Sequence, residues 1–123
     1  MERSSMLDEA VAEHVARDGE VVPPWKAYPE IERFSIGWRM GSGEWHMMVW
    51  WRWWDSAGWD EPRRLDYFRK HQPPTQWLDW AAEAVWSPDE SDDADLEHEG
   101  VRRLAAHGIG SYEEWTTWIS DGQ

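Results

Sequence analysis

Residues 45–59 read WHMMVWWRWWDSAGW and hold six of the chain's thirteen tryptophans in fifteen positions. A chain with so much indole in one place must insert it into a membrane, bind something with it, or fill a core with it. The longest unbroken apolar stretch, Met47 to Trp51, is closed at once by Arg52, whereas a membrane-spanning helix needs about 20 apolar residues. No membrane insertion is therefore expected. A Trp, Tyr or Phe side chain buries roughly 150–250 Å², so thirteen Trp, three Tyr and two Phe can furnish the core of 123 residues. That length predicts a single domain over residues 1–123.

Twenty-five acidic residues against twelve basic ones give a formal net charge of −13. Such a balance disfavours non-specific attraction to nucleic-acid backbones or anionic lipid. It suits a basic partner, and equally it serves solubility in a chain rich in aromatics. Cysteine is absent, which removes disulfides, thiolate catalysis and cysteine metal sites. The opening MERSSMLDEAVAEHVARDGE is charged throughout and has no apolar signal region, so a cytoplasmic location is expected.

SSMLDEAVAEHVARDG carries Leu7, Val11 and Val15 at four-residue spacing and ends at Gly19, which predicts an amphipathic helix. EVVPPWKAYPE, with three prolines, reads as an extended connector. From Glu32 the period changes. Phe34, Ile36, Trp38 and Met40 alternate with Arg33, Ser35, Gly37 and Arg39, and after GSG the residues Trp45, Met47, Val49, Trp51 and Trp53 again occupy alternate positions. Period-two patterning on both sides of a glycine turn predicts a β-hairpin over residues 32–54, turning at Ser42 and Gly43. The expected fold class is thus α+β, a Trp-rich antiparallel hairpin packed against four or five helices, with an all-α domain as the fallback.

The remaining helices are marked by their ends. WDEPRRLDYFRKH is capped by Asp60, with acid early and base late. QWLDWAAEAVW follows Thr75 as a broadly apolar, central helix. Residues 87–92 lie in an acidic run without Lys or Arg and read as an exposed mobile loop. A helical pattern resumes at Asp93 and stops near Gly108, and in SYEEWTTWI the residues Ser111 and Glu114 have capping-box spacing.

In the hairpin register that pairs Met40 with Trp45 and Phe34 with Trp51, one face is wholly apolar. The other displays Met48, Trp50 and Trp54 beside Arg39 and Arg52, and places Arg33 opposite Arg52. Interface cores are enriched in Trp, Met and Arg, so Trp50, Trp54, Met48, Arg52 and Arg39 are the candidate partner-binding residues. The plainer reading is that both faces are core.

Motifs for chemistry are sparse. The histidines at 14, 46, 71, 98 and 107 form no metal-binding spacing. DESDDADLEHE lacks the turn glycine and closing glutamate of a calcium loop, and neither Ser42 nor Ser111 sits in a nucleophile elbow. Glu44, Asp55, Asp60 and Glu61 are the carboxylates nearest the aromatic run, each with an ordinary use as a cap or turn residue. No catalytic residue, metal or cofactor is implied. The expectation is a non-enzymatic protein-binding or accessory protein, of inhibitor or immunity type or an assembly subunit, contacting a protein partner or itself as a homodimer. The alternative is a small enzyme or carbohydrate binder using carboxylates beside the tryptophans.

Overall fold

A computed structural model describes residues 3–86 and 94–121. The expected α+β architecture is not formed: every regular element among the described residues is helical. The order is α1 (Arg3–Asp18), α2 (Pro24–Ala27), a 3₁₀ turn at Ile36–Trp38, α3 (Gly41–Ala57), α4 (Glu61–Lys70), a 3₁₀ turn at Thr75–Trp77, α5 (Leu78–Trp86), α6 (Ala94–Ala106) and α7 (Tyr112–Asp121). The acidic segment 87–92, expected to be a mobile loop, lies outside the described residues. The chain forms two compact units, Met1–Trp59 and Asp60–Gln123.

In the first unit the segment expected to be the second hairpin strand is instead the 17-residue helix α3. Its buried positions are Gly43, His46, Val49, Trp50, Trp53 and Trp54, the i, i+3, i+4, i+7 spacing of one helical face. The alternation that suggested a strand came from Trp45, Met47 and Trp51, which are only half-buried. An indole tolerates such a position because its body is apolar and its N–H is polar. The helix also resolves the like-charge conflict that the hairpin imposed on Arg33 and Arg52. On α3, Arg52 makes a two-point ion pair with Asp8 of α1, Nε to Oδ1 at 2.9 Å and Nη2 to Oδ2 at 3.2 Å. Gly58, at φ 59°, ends α3 in the left-handed conformation.

The expected first strand fails for a related reason. Of Phe34, Ile36, Trp38 and Met40, only Trp38 is buried, and the backbone tightens into the 3₁₀ turn to seat it. Trp38 Nε1 donates to the Glu32 carbonyl at 2.8 Å. Gly43 enters α3 directly against this turn: a Cβ there would overlap the Gly37 carbonyl oxygen. Gly43 thus admits a close backbone approach rather than a hairpin turn, while Gly41 takes a left-handed φ of 66° at the entry to α3.

In the second unit the end signals match the structure closely. The Asp60 side chain accepts from Arg63 N at 3.2 Å at the start of α4, and the Ser111 hydroxyl accepts from Glu114 N at 3.2 Å at the start of α7. Thr75 does not cap; it begins the 3₁₀ turn that precedes α5. Arg64 Nη1 donates to the Ala84 and Val85 carbonyls at 3.3 and 3.1 Å, satisfying groups that the C-terminal end of α5 leaves open. α5, buried on most sides, is the centre of this unit. It packs on α6 where a Cβ on Gly100 would come within 2.9 Å of Ala82 Cβ, and Trp77, Phe68 and Trp80 meet edge to face around it.

Candidate interaction surface

Trp50, Trp51, Trp53 and Trp54 of α3 form one continuous cluster with Trp59. Trp50 and Trp54 stack at 4.6 Å between centroids, Trp51 meets Trp50 edge-on at 5.0 Å, and Trp59 meets Trp53 edge-on at 5.1 Å. Trp50 and Trp54, expected at an outer face, are buried; Met48 and Arg52 are half-buried, and Arg39 is exposed. The indole run therefore answers first to packing. Helical geometry keeps Trp50 and Trp54 together but divides the five candidates of the hairpin register between core and surface.

What the first unit does present is the segment before α3. Phe34 is 69% exposed, Ile36 68% and Met40 57%, three large apolar side chains within seven residues. The backbone carrying them is pinned. Ser35 N donates to Glu32 O at 3.0 Å, Arg39 N to Ile36 O at 2.8 Å, and Gly37 N to Ser35 Oγ at 3.1 Å. The Arg33 guanidinium lies over the Phe34 ring, 4.7 Å from its centroid. A pinned turn holding apolar side chains outward has already lost the entropy that docking would otherwise remove. Phe34, Ile36 and Met40 escaped the sequence argument because period two assigned all three to a strand's inner face.

A second feature of this unit is a histidine pair between α1 and α3. His46 is 5% exposed, and its Nε2–H donates to the Val22 carbonyl at 2.8 Å. The rings of His14 and Tyr28 meet it edge-on at 5.6 and 6.0 Å. His14 Nδ1 accepts from Arg17 Nη2 at 3.1 Å. Burial holds the His46 pKa below its ordinary value despite the Val22 contact, and His14 and Arg17 add to the effect. Burial and Arg17 likewise lower His14, against the pull of Asp18 and Glu13.

In the second unit an open depression of about 650 Å³ runs along α7, lined by Ser111, Glu113, Glu114, Trp118 and Asp121 together with Thr75. Behind it Trp115 is buried, in edge contact with His98 at 4.8 Å, and His98 Nδ1 lies 2.8 Å from the Tyr112 hydroxyl.

The carboxylates considered for catalysis are dispersed or engaged. Glu44 and Asp55 are exposed on α3, eleven residues apart and so roughly 16 Å along the helix at 1.5 Å per residue. Paired glycosidic carboxylates stand about 5–9.5 Å apart. Asp60 caps α4, and Glu61 Oε1 accepts from Trp86 Nε1 at 2.6 Å. Among the described residues no three His, Asp or Glu side chains converge as a metal site, and no helix is long and apolar enough to cross a membrane. No protein-family model matches the chain, and no curated protein or solved structure matches it either.

Proposed function

We propose that this chain is a non-catalytic protein-binding or accessory protein, acting in the cytoplasm, whose contact centres on Phe34, Ile36 and Met40 beside Arg39. The observation that carries the reading is the outward display of three large apolar side chains on a hydrogen-bonded turn. Large apolar side chains exposed close together in a chain otherwise rich in charge support a protein contact. Of the residues first considered, Arg39 belongs to this contact and half-buried Met48 remains available to it. Trp50, Trp54 and Arg52 act behind it, fixing α3 and hence the turn. The partner is a different protein or a second copy of the chain.

Photo-crosslinking tests this inside cells. A photoreactive side chain at position 36 should give a discrete adduct, while one at exposed Glu83 on α5 should not. Mass spectrometry of the adduct then distinguishes a homodimer from another protein. Absence of any adduct at position 36, or equal labelling from position 83, would remove the proposal. The triple variant Phe34→Ser, Ile36→Ser, Met40→Ser should lose the partner and keep its helical circular dichroism.

A further inference from the structure

We propose that the α1–α3 contact is an acid-sensitive latch, in which proton uptake by His46 and His14 beside Arg17 frees α1 from α3. This concerns a different surface from the 33–40 turn and does not depend on it.

Two side-chain contacts set the register of the helices. Asp8 of α1 meets Arg52 of α3, and His14 meets His46. Six residues forward along α1 correspond to six residues backward along α3, so the two helices run antiparallel and in step. That register places Val11 opposite Val49, and Val49 is fully buried. The contact therefore has an ion pair at one end, an apolar middle and a histidine pair at the other end.

Charge around His46 is one-sided. From α1, His46 faces His14 and Arg17; from the segment around α2 it faces the Val22 carbonyl and the Tyr28 ring. None of these is an anion. Glu13 and Asp18 act on His14, and Arg17 Nε already pairs with Asp18 at 3.0 Å. A second positive charge at His46 would thus be buried beside His14 and Arg17, with a carbonyl as its one hydrogen-bonded partner.

The sign follows. In the closed state both imidazoles bind protons less readily than at their ordinary value of 6.5, and in the opened state they return towards it. Opening therefore takes up protons as the pH falls through 6.5. Each proton taken up raises the opening constant about tenfold per pH unit until the depressed pKa is passed. The Asp8–Arg52 pair at the other end holds no imidazole, so the response belongs to the histidine end. Release of α1 uncovers the α3 stripe of His46, Val49 and Trp53, which share a helical face.

Hydrogen exchange on the intact chain reads the latch. After correction for intrinsic exchange rates, the amides of α1 should open at least about threefold more often at pH 5.5 than at pH 7.5, while those of α5 stay level. The variant His14→Gln, His46→Gln, in which an amide N–H replaces the donor to Val22, should lose this response; Asp8→Asn should keep it. Equal α1 protection at the two pH values, or an undiminished response in the double variant, would overturn the proposal. Should that variant not fold, the wild-type imidazoles decide by NMR. His46 must titrate in step with α1 opening, and titration with α1 protection unchanged would equally overturn it.

Discussion

Trp50 and Trp54, one turn apart on α3, stack with their ring centroids 4.6 Å apart and their planes 19° from parallel. Both are buried, so the stack acts as core. Trp50→Ala removes an indole from close packing and leaves a cavity, a change that costs about 3–5 kcal/mol. Denaturation followed by helical circular dichroism should show a large fall in midpoint for Trp50→Ala, greater still when Trp54→Ala is added. A double variant that kept the wild-type midpoint would show instead that these rings serve a partner rather than the fold.

Gly43 has its Cβ space occupied by the carbonyl of Gly37. Alanine at an interior helical position is ordinarily favourable by about 0.5–1 kcal/mol over glycine, but here the methyl meets backbone that cannot swing aside. Gly43→Ala should therefore destabilise the first unit by about 1–3 kcal/mol, the usual cost of forced overpacking. The fluorescence of buried Trp38, whose Cε3 lies 3.3 Å from the same Cβ position, should change with it. A gain in thermal stability would contradict the close approach.

The second unit was legible in the sequence because its helices announce their ends. Asp60 and Ser111 cap as their spacing suggests, and Arg69 and Lys70 occupy the last turn of α4. The first unit was misread because tryptophan blurs periodicity: half-buried Trp45 and Trp51 score as core in a pattern count although helical geometry sets them at the margin. Exposed Phe34, Ile36 and Met40 then supplied a false partner strand. The contacts that decide for the helix, Asp8 with Arg52 and Gly43 against Gly37, join residues far apart in sequence or depend on backbone approach. Alternation of residue types records neither. The His14–His46 pair was invisible for the same reason, being 32 positions apart and united only by the register of α1 on α3.

The Asp60 cap offers a clean local test. Its carboxylate accepts from the Arg63 amide at the first turn of α4, where the helix dipole also favours an anion. Asp60→Ala should cost about 1 kcal/mol, and Asp60→Asn, which keeps the acceptor, distinctly less. Both variants lack the charge, so the difference between them in urea denaturation measures the hydrogen-bond contribution alone. Equal losses would mean that the dipole, not the hydrogen bond, carries the effect.

Gln72 joins the end of α4 to the turn before α7. Its Nε2 donates to the Gly108 carbonyl at 3.0 Å and its Oε1 accepts from Gly110 N at 3.1 Å, so one side chain satisfies both a donor and an acceptor of the 107–111 turn. Arg69 Nε reinforces it with a 2.8 Å bond to the His107 carbonyl. Because Gln72 is exposed, water can replace these partners and the net loss for Gln72→Leu should be about 1–2 kcal/mol, not the penalty of orphaned buried groups. The local signature is sharper than the global one. The Gly110 amide should exchange faster in the variant, with Gly108 held in its turn by the bond from its own N to Ala105 O at 3.0 Å. Unchanged protection at Gly110 would show that the turn holds itself without Gln72, and the Arg69→Ala variant would then be the one expected to loosen it.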